Sequence, residues 1–171
     1  MKKILSLICA AAVLILFVAA CAVKPDNFIA PAQLYYSVGE YTYHQEDGVI
    51  RSETRETKLF NSDLKLFLNA YLAGPVSKKL ISPFPSGAQV VDVTQSEKEI
   101  TITLNETFSK LSGIDLTLPI SCLSMTILEY TGGDTVRFRV ENGTLSGKEV
   151  ITVTRDLLLF KDDTALKQED T

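Results

Sequence analysis

The sequence predicts an α+β domain, a two-layer sandwich with two helices on one face of a mostly antiparallel sheet. Three observations predict it. Leu64, Phe67, Leu68, Tyr71 and Leu72 follow the rhythm of one helix face. Ile120, Leu123, Ile127 and Leu128 form a second such stripe. Between and around them, Ile100–Leu104 and Thr135–Val140 alternate apolar and polar residues with the period of a half-buried strand.

The chain has 171 residues and opens on a segment unlike the rest. Lys2 and Lys3 precede an apolar run from Ile4 to Ala20, broken only by Ser6, and Val18-Ala19-Ala20-Cys21 ends it with small residues before a cysteine. This has the form of a lipoprotein signal peptide, with residues 1–20 removed and Cys21 the lipid acceptor. The run also approaches the length of a membrane span, so a retained anchor is the other reading. Either way the remainder is expected outside the cytoplasm, held at the extracytoplasmic face of the cell membrane. Residues 21–32 carry Pro25 and Pro31, lack any period and read as a lipidated tether.

Removing residues 1–20 leaves 151, enough for one domain that buries roughly 70% of its unfolded surface. The formal charge of −4 becomes −6 once Lys2 and Lys3 leave, which argues against nucleic acid and against lying flat on anionic lipid. Cys9 leaves with the signal and Cys21 takes the lipid, so Cys122 stands alone and no intramolecular disulfide is expected. Its apolar neighbours suit a buried structural cysteine.

The domain is expected over residues 33–160. Gln33–Val38 alternates as a strand that Tyr41 and Tyr43 extend past Gly39. Asp47-Gly48 marks a hairpin turn, and Val49–Lys58 is a polar return strand. The first helix, Asp63–Ala73, takes Asn61 or Ser62 as its cap, Gly74 as its left-handed terminator and Pro75 as its stop. Ala88–Val93 and Ile100–Leu104 form a hairpin around Thr94–Glu99. The second helix follows a loop containing Gly113, has Pro119 in its first turn and stops at Gly132-Gly133; Cys122 and Met125 widen its stripe. Thr135–Val140 turns Val136, Phe138 and Val140 inward and Arg137 and Arg139 outward. Asn142-Gly143 is a turn, Glu149–Thr154 another strand, and Leu157–Phe160 an apolar end that docks on the sheet. Residues 161–171 are charged and expected to be disordered. The bare order of elements also fits a ferredoxin-like split unit.

Chemistry is scarce. His44 is the single histidine and sits beside a hairpin turn, where catalysis through a triad is a poor fit. No zinc-ligand spacing, phosphate loop or nucleophile elbow occurs, and no cofactor is expected. Ser62-Asp63-Leu64-Lys65 matches S-x-x-K without its partner motifs, Asp162-Asp163 lies in the tail, and Asn105-Glu106-Thr107 and Asn142-Gly143-Thr144 read as turns. Tyr35, Tyr36, Tyr41 and Tyr43 offer a stacking platform for sugar, against the plainer reading of β-prone aromatics on a sheet face.

Tyr35-Tyr36, Arg55, Leu72-Ala73-Gly74-Pro75, Pro85-Ser86-Gly87-Ala88-Gln89-Val90, Ile102-Thr103-Leu104 with Phe108, Thr126-Ile127 and Val136–Val140 together resemble the GerMN domain of sporulation and spore germination proteins. The resemblance runs from about Leu34 to Phe160, and its most specific part is the hand-over from helix-Gly-Pro to Pro-x-Gly. It implies an exported lipoprotein without enzymatic activity. It also implies a fold similar to the ring-building modules of secretion-type assemblies, hence a role in binding envelope proteins or copies of itself. Two departures stand out. The protein for which the family is named carries two such domains, and this chain has room for one. Asn105 stands where family members often carry an acidic residue. The surface expected to bind is a sheet edge near Thr135–Val140 or Gln33–Val38, with Arg137 and Arg139 meeting acidic groups. A cell-wall or carbohydrate-binding lipoprotein is the alternative function.

Overall fold

The computed structural model describes residues 29–39, 48–58 and 63–158. Cys21 with its signal peptide, Tyr41, Tyr43, His44, the expected caps Asn61 and Ser62, Phe160 and the tail with Asp162-Asp163 lie outside them. The architecture is α+β. The elements are β1 (Ile29–Val38), β2 (Ile50–Lys58), α1 (Leu64–Leu72), β3 (Leu80–Ile81), β4 (Val90–Ser96), β5 (Glu99–Leu104), α2 (Gly113–Thr131), β6 (Thr135–Val140) and β7 (Ile151–Thr154). The first strand thus starts at Ile29, inside the stretch read as tether.

The strands make two sheets rather than one. The three-stranded sheet runs β2-β1-β3 and the four-stranded sheet β4-β5-β6-β7. All pairs are antiparallel except β5 and β6, which α2 connects as a parallel crossover. Neighbouring parallel strands joined by a helix exclude the ferredoxin-like order.

Helix α1 forms where its stripe predicts, with Phe67, Leu68, Tyr71 and Leu72 buried. Its cap is Asp63, one residue later than expected, whose carboxylate accepts from the Leu66 N–H at 3.0 Å. A carboxylate caps as well as a hydroxyl and also meets the positive end of the helix dipole. Gly74 ends the helix at φ +108°, as its position predicts.

Helix α2 departs from expectation. It starts six residues before Pro119, so the proline is interior. The missing N–H leaves only the Asp115 carbonyl without its helical partner, and Asp115 is exposed in the first turn, where water can serve. The added turns bury Leu116 and Leu118, which the shorter helix would have left in a loop. Downstream the stripe holds: Ile120, Cys122, Leu123, Ile127 and Leu128 are all buried. Gly132 caps it in the left-handed region, and a Cβ on Gly133 would stand 2.4 Å from Ile100 Cδ1.

The core lies between the inner face of the four-stranded sheet, both helices and the inner side of β1. Ile100, Ile102, Leu104, Val136 and Phe138 are fully buried beside Leu34, Tyr36 and Leu68. Phe67 stacks on Tyr130 with ring centroids 4.1 Å apart, joining the helices. At the far end Leu157 is 69% exposed, so the apolar terminus does not dock through that residue; Leu158 packs partly against the core.

Truncating a fully buried side chain loses transfer energy and leaves a cavity. Leu68→Ala should cost about 2–5 kcal/mol in chemical denaturation. Leu66→Ala, on the exposed side of the same helix, should stay within about 0.5 kcal/mol.

Candidate functional site

The residues with nucleophilic or stacking potential are spent inside the fold. Cys122 is fully buried, and burial pushes its thiol up to about 12. A thiol held there carries no thiolate at neutral pH. Tyr36, one of the four tyrosines considered as a sugar platform, is fully buried, with its hydroxyl donating to the Tyr71 carbonyl at 3.0 Å. Burial raises its pKa to about 12. Tyr35 lies across α2, its hydroxyl donating to Glu129. The two described tyrosines therefore form no exposed platform. Among the described residues no group of three or more His, Cys, Asp or Glu could hold a metal ion, and no helix is long and apolar enough to cross a membrane.

Arg137 and Arg139 point outward from β6 as predicted, and both are exposed. The expected edge is covered over part of its length, however: β7 pairs with Thr135–Phe138 of β6, β3 pairs with Ser37 and Val38 of β1, and Thr126 on α2 takes the Tyr35 N–H. Strand β7 covers β6 because the Asn142-Gly143 turn brings the Glu149–Thr154 run back beside it, a pairing visible only in three dimensions. The arginines therefore project from an open sheet face.

The registers place this face in rows across the strands. Thr94, Thr101, Arg137 and Thr152 make one row, Ser96, Glu99, Thr135 and Thr154 a second, and Asp92, Thr103 and Arg139 a third. Arg137 Nε stands 3.2 Å from Glu99 Oε2, both half-exposed. Such a pair contributes about 0–1 kcal/mol. The face is polar and rich in threonine, which β-branching favours in a strand and whose hydroxyls can donate or accept.

A groove of about 920 Å³ opens between α1 and the segment Phe84–Val91. Lys65, Asn69, Ser82, Gln89 and Glu141 line it. Two asparagines hold its wall. Asn69 Nδ2 donates to the carbonyls of Lys65 and Val90, and its Oδ1 accepts from the Val90 N–H, all at 3.0 Å. Asn105 Oδ1 accepts from the Gln89 N–H at 3.2 Å and the Thr107 hydroxyl at 2.6 Å, while its Nδ2 donates to the Gly87 carbonyl at 2.8 Å. That donation explains an amide at 105: a carboxylate cannot make it.

A third polar cluster ties the chain after α1 to β2. The Glu53 carboxylate accepts from the Val76 and Ser77 N–H groups at 3.1 and 2.9 Å and from Arg55. Burial pushes Glu53 up, but these bonds outweigh it and hold the carboxyl below its ordinary value. Arg55 Nη2 also donates to the Gly74 carbonyl at 3.1 Å. Asn69, Glu53 and this role of Arg55 are not legible from pattern and spacing alone. Asn69 did carry a signal, since asparagine is a poor helix former whose side chain seeks backbone partners.

The family model Germane, described as sporulation and spore germination, matches residues 33–146. The first GerMN domain of the sporulation protein GerM from Bacillus subtilis is similar in structure, with a TM-score of 0.56 at 18% identity over 74% of this chain and 98% of that one. The tandem GerMN domains of the same protein give 0.52 at 18% identity, over 76% of this chain and 46% of that one. At such identities the likeness is one of fold. Among curated proteins none matches the sequence.

Two outcomes follow from the geometry. Asn105→Asp should lose the bond to Gly87 and cost about 0.5–1.5 kcal/mol in thermal or chemical denaturation. Peptide mapping after brief alkylation at pH 8 should find Cys122 unmodified in the native protein and modified in denaturant; native labelling would show an accessible thiolate.

Proposed function

Because the chain belongs to the Germane family of sporulation and spore germination domains, we propose that it is an envelope lipoprotein whose domain docks onto other proteins without catalysing a reaction. Its place in this reading is the extracytoplasmic face of the cell membrane, with residues 1–20 cleaved, Cys21 lipidated, and the domain, whose first strand starts at Ile29, carried on a short tether. The partners are envelope proteins of sporulation or germination assemblies, or further copies of the chain.

The observation that carries the reading is the open face of the four-stranded sheet. It presents two outward arginines among threonine rows without an apolar patch. A polar face of this kind suits reversible docking better than a permanent, hydrophobic interface. Buried Cys122 and buried Tyr36 support a role without a nucleophile and without a sugar platform.

Mass spectrometry of the membrane-extracted protein should find a diacylglyceryl group on Cys21 as the N-terminal residue; an intact Met1 in the mature pool would overturn the anchor. Crosslinking in intact cells tests the face. Arg137→Glu with Arg139→Glu should abolish partner capture while the melting temperature barely moves, and undiminished capture would remove this face from the interface.

A further inference from the structure

Four strand edges end the two sheets, and three of them are blunted. β3 is two residues long and β7 four. β4 is bulged near Val91, and Asn69 occupies the backbone groups of Val90. Short strands, bulges and plugs are the usual ways of stopping an edge from pairing. β2 has none of them. It runs nine residues, contains neither proline nor glycine, keeps an unbroken register with β1, and pairs with no strand on its outer side among the described residues.

The parity of that outer side follows from the ladder. The Val38 N–H donates to the Val49 carbonyl at 3.0 Å, so odd-numbered residues of β2 bond to β1. Ile50, Ser52, Thr54, Glu56 and Lys58 then present their N–H and C=O groups outward. Thr54 is the midpoint of the strand.

We propose that β2 is a self-pairing edge: two copies of the chain join antiparallel through β2 about a two-fold axis at Thr54, making one continuous six-stranded sheet. This rests on the docking-module reading and names its partner as a second copy. Three facts agree on this register. It is the one that overlaps the whole strand. Its hydrogen-bonded pairs are Thr54 with Thr54, Ser52 with Glu56 and Ile50 with Lys58, so every outward backbone group finds a partner. The residue that meets its own copy is the uncharged Thr54, while Glu53 stands opposite the other copy's Arg55 and Arg55 opposite its Glu53. A register centred on Glu56 would set two carboxylates face to face, and one centred on Ser52 would shorten the overlap. The charge order Glu53-Thr54-Arg55 therefore keeps like charges apart in this register, with the Glu53 carboxylate and the Arg55 guanidinium also bonded within their own copy.

The test uses the full-length chain in detergent micelles. Directly paired residues have Cα atoms about 5.5 Å apart, within disulfide reach. Thr54→Cys should yield a covalent dimer on mild oxidation, beyond what the native cysteines give and beyond Thr94→Cys on the exposed face of β4. Dimer no greater than that of Thr94→Cys would overturn the proposal. Thr54→Pro removes an N–H that β1 does not use and one exposed side-chain bond from Gln33, so its melting temperature should fall only slightly while sedimentation shows loss of the dimer; a retained dimer would also overturn it. If Thr54→Cys fails to crosslink while the Arg137→Glu, Arg139→Glu double variant still abolishes partner capture, self-pairing falls and the docking-module reading stands.

Discussion

A buried strand edge must find hydrogen-bond partners, and in this protein β1 finds them on the helices. β3 pairs only with Ser37 and Val38, so the preceding residues of β1 have no strand on that side. The Tyr35 N–H donates instead to Thr126 Oγ1 on α2 at 3.0 Å, and the Tyr35 carbonyl accepts from the Tyr71 hydroxyl on α1. Leaving such groups unmade inside the protein costs about 1–3 kcal/mol each. Both helices are thus pinned to one strand, with α2 standing where a further strand would otherwise pair. The division into two sheets follows from that arrangement.

Much of this was legible and some could not be. Helix stripes are local, so Leu64–Leu72 and Ile120–Leu128 were readable from spacing, and the strand Thr135–Val140 from its alternation. Pairing is not local. Nothing in the alternation of Thr135–Val140 says that β7 will lie beside it, so alternation alone cannot tell an edge from the face on which the arginines stand. The proline at 119 misled because its cost depends on what the orphaned carbonyl can reach. An exposed Asp115 makes that cost small.

The polar sites show the same division. Arg137 and Arg139 were found because outward arginines break an apolar alternation. Glu53 and Arg55 were hidden in a strand that is polar throughout, and their work is done on Gly74, Val76 and Ser77, some twenty residues away. Burial lowers the tendency of Arg55 to stay charged, but its bonds to Glu53 and Tyr36 reverse this and raise its pKa. The pair therefore fixes the exit of α1.

The amides of Asn69 and Asn105 bond the backbone of Gly87, Gln89 and Val90 from within the domain. The groove wall is therefore fastened by the fold itself, and the conformational entropy of the Gly87–Val90 segment is lost during folding.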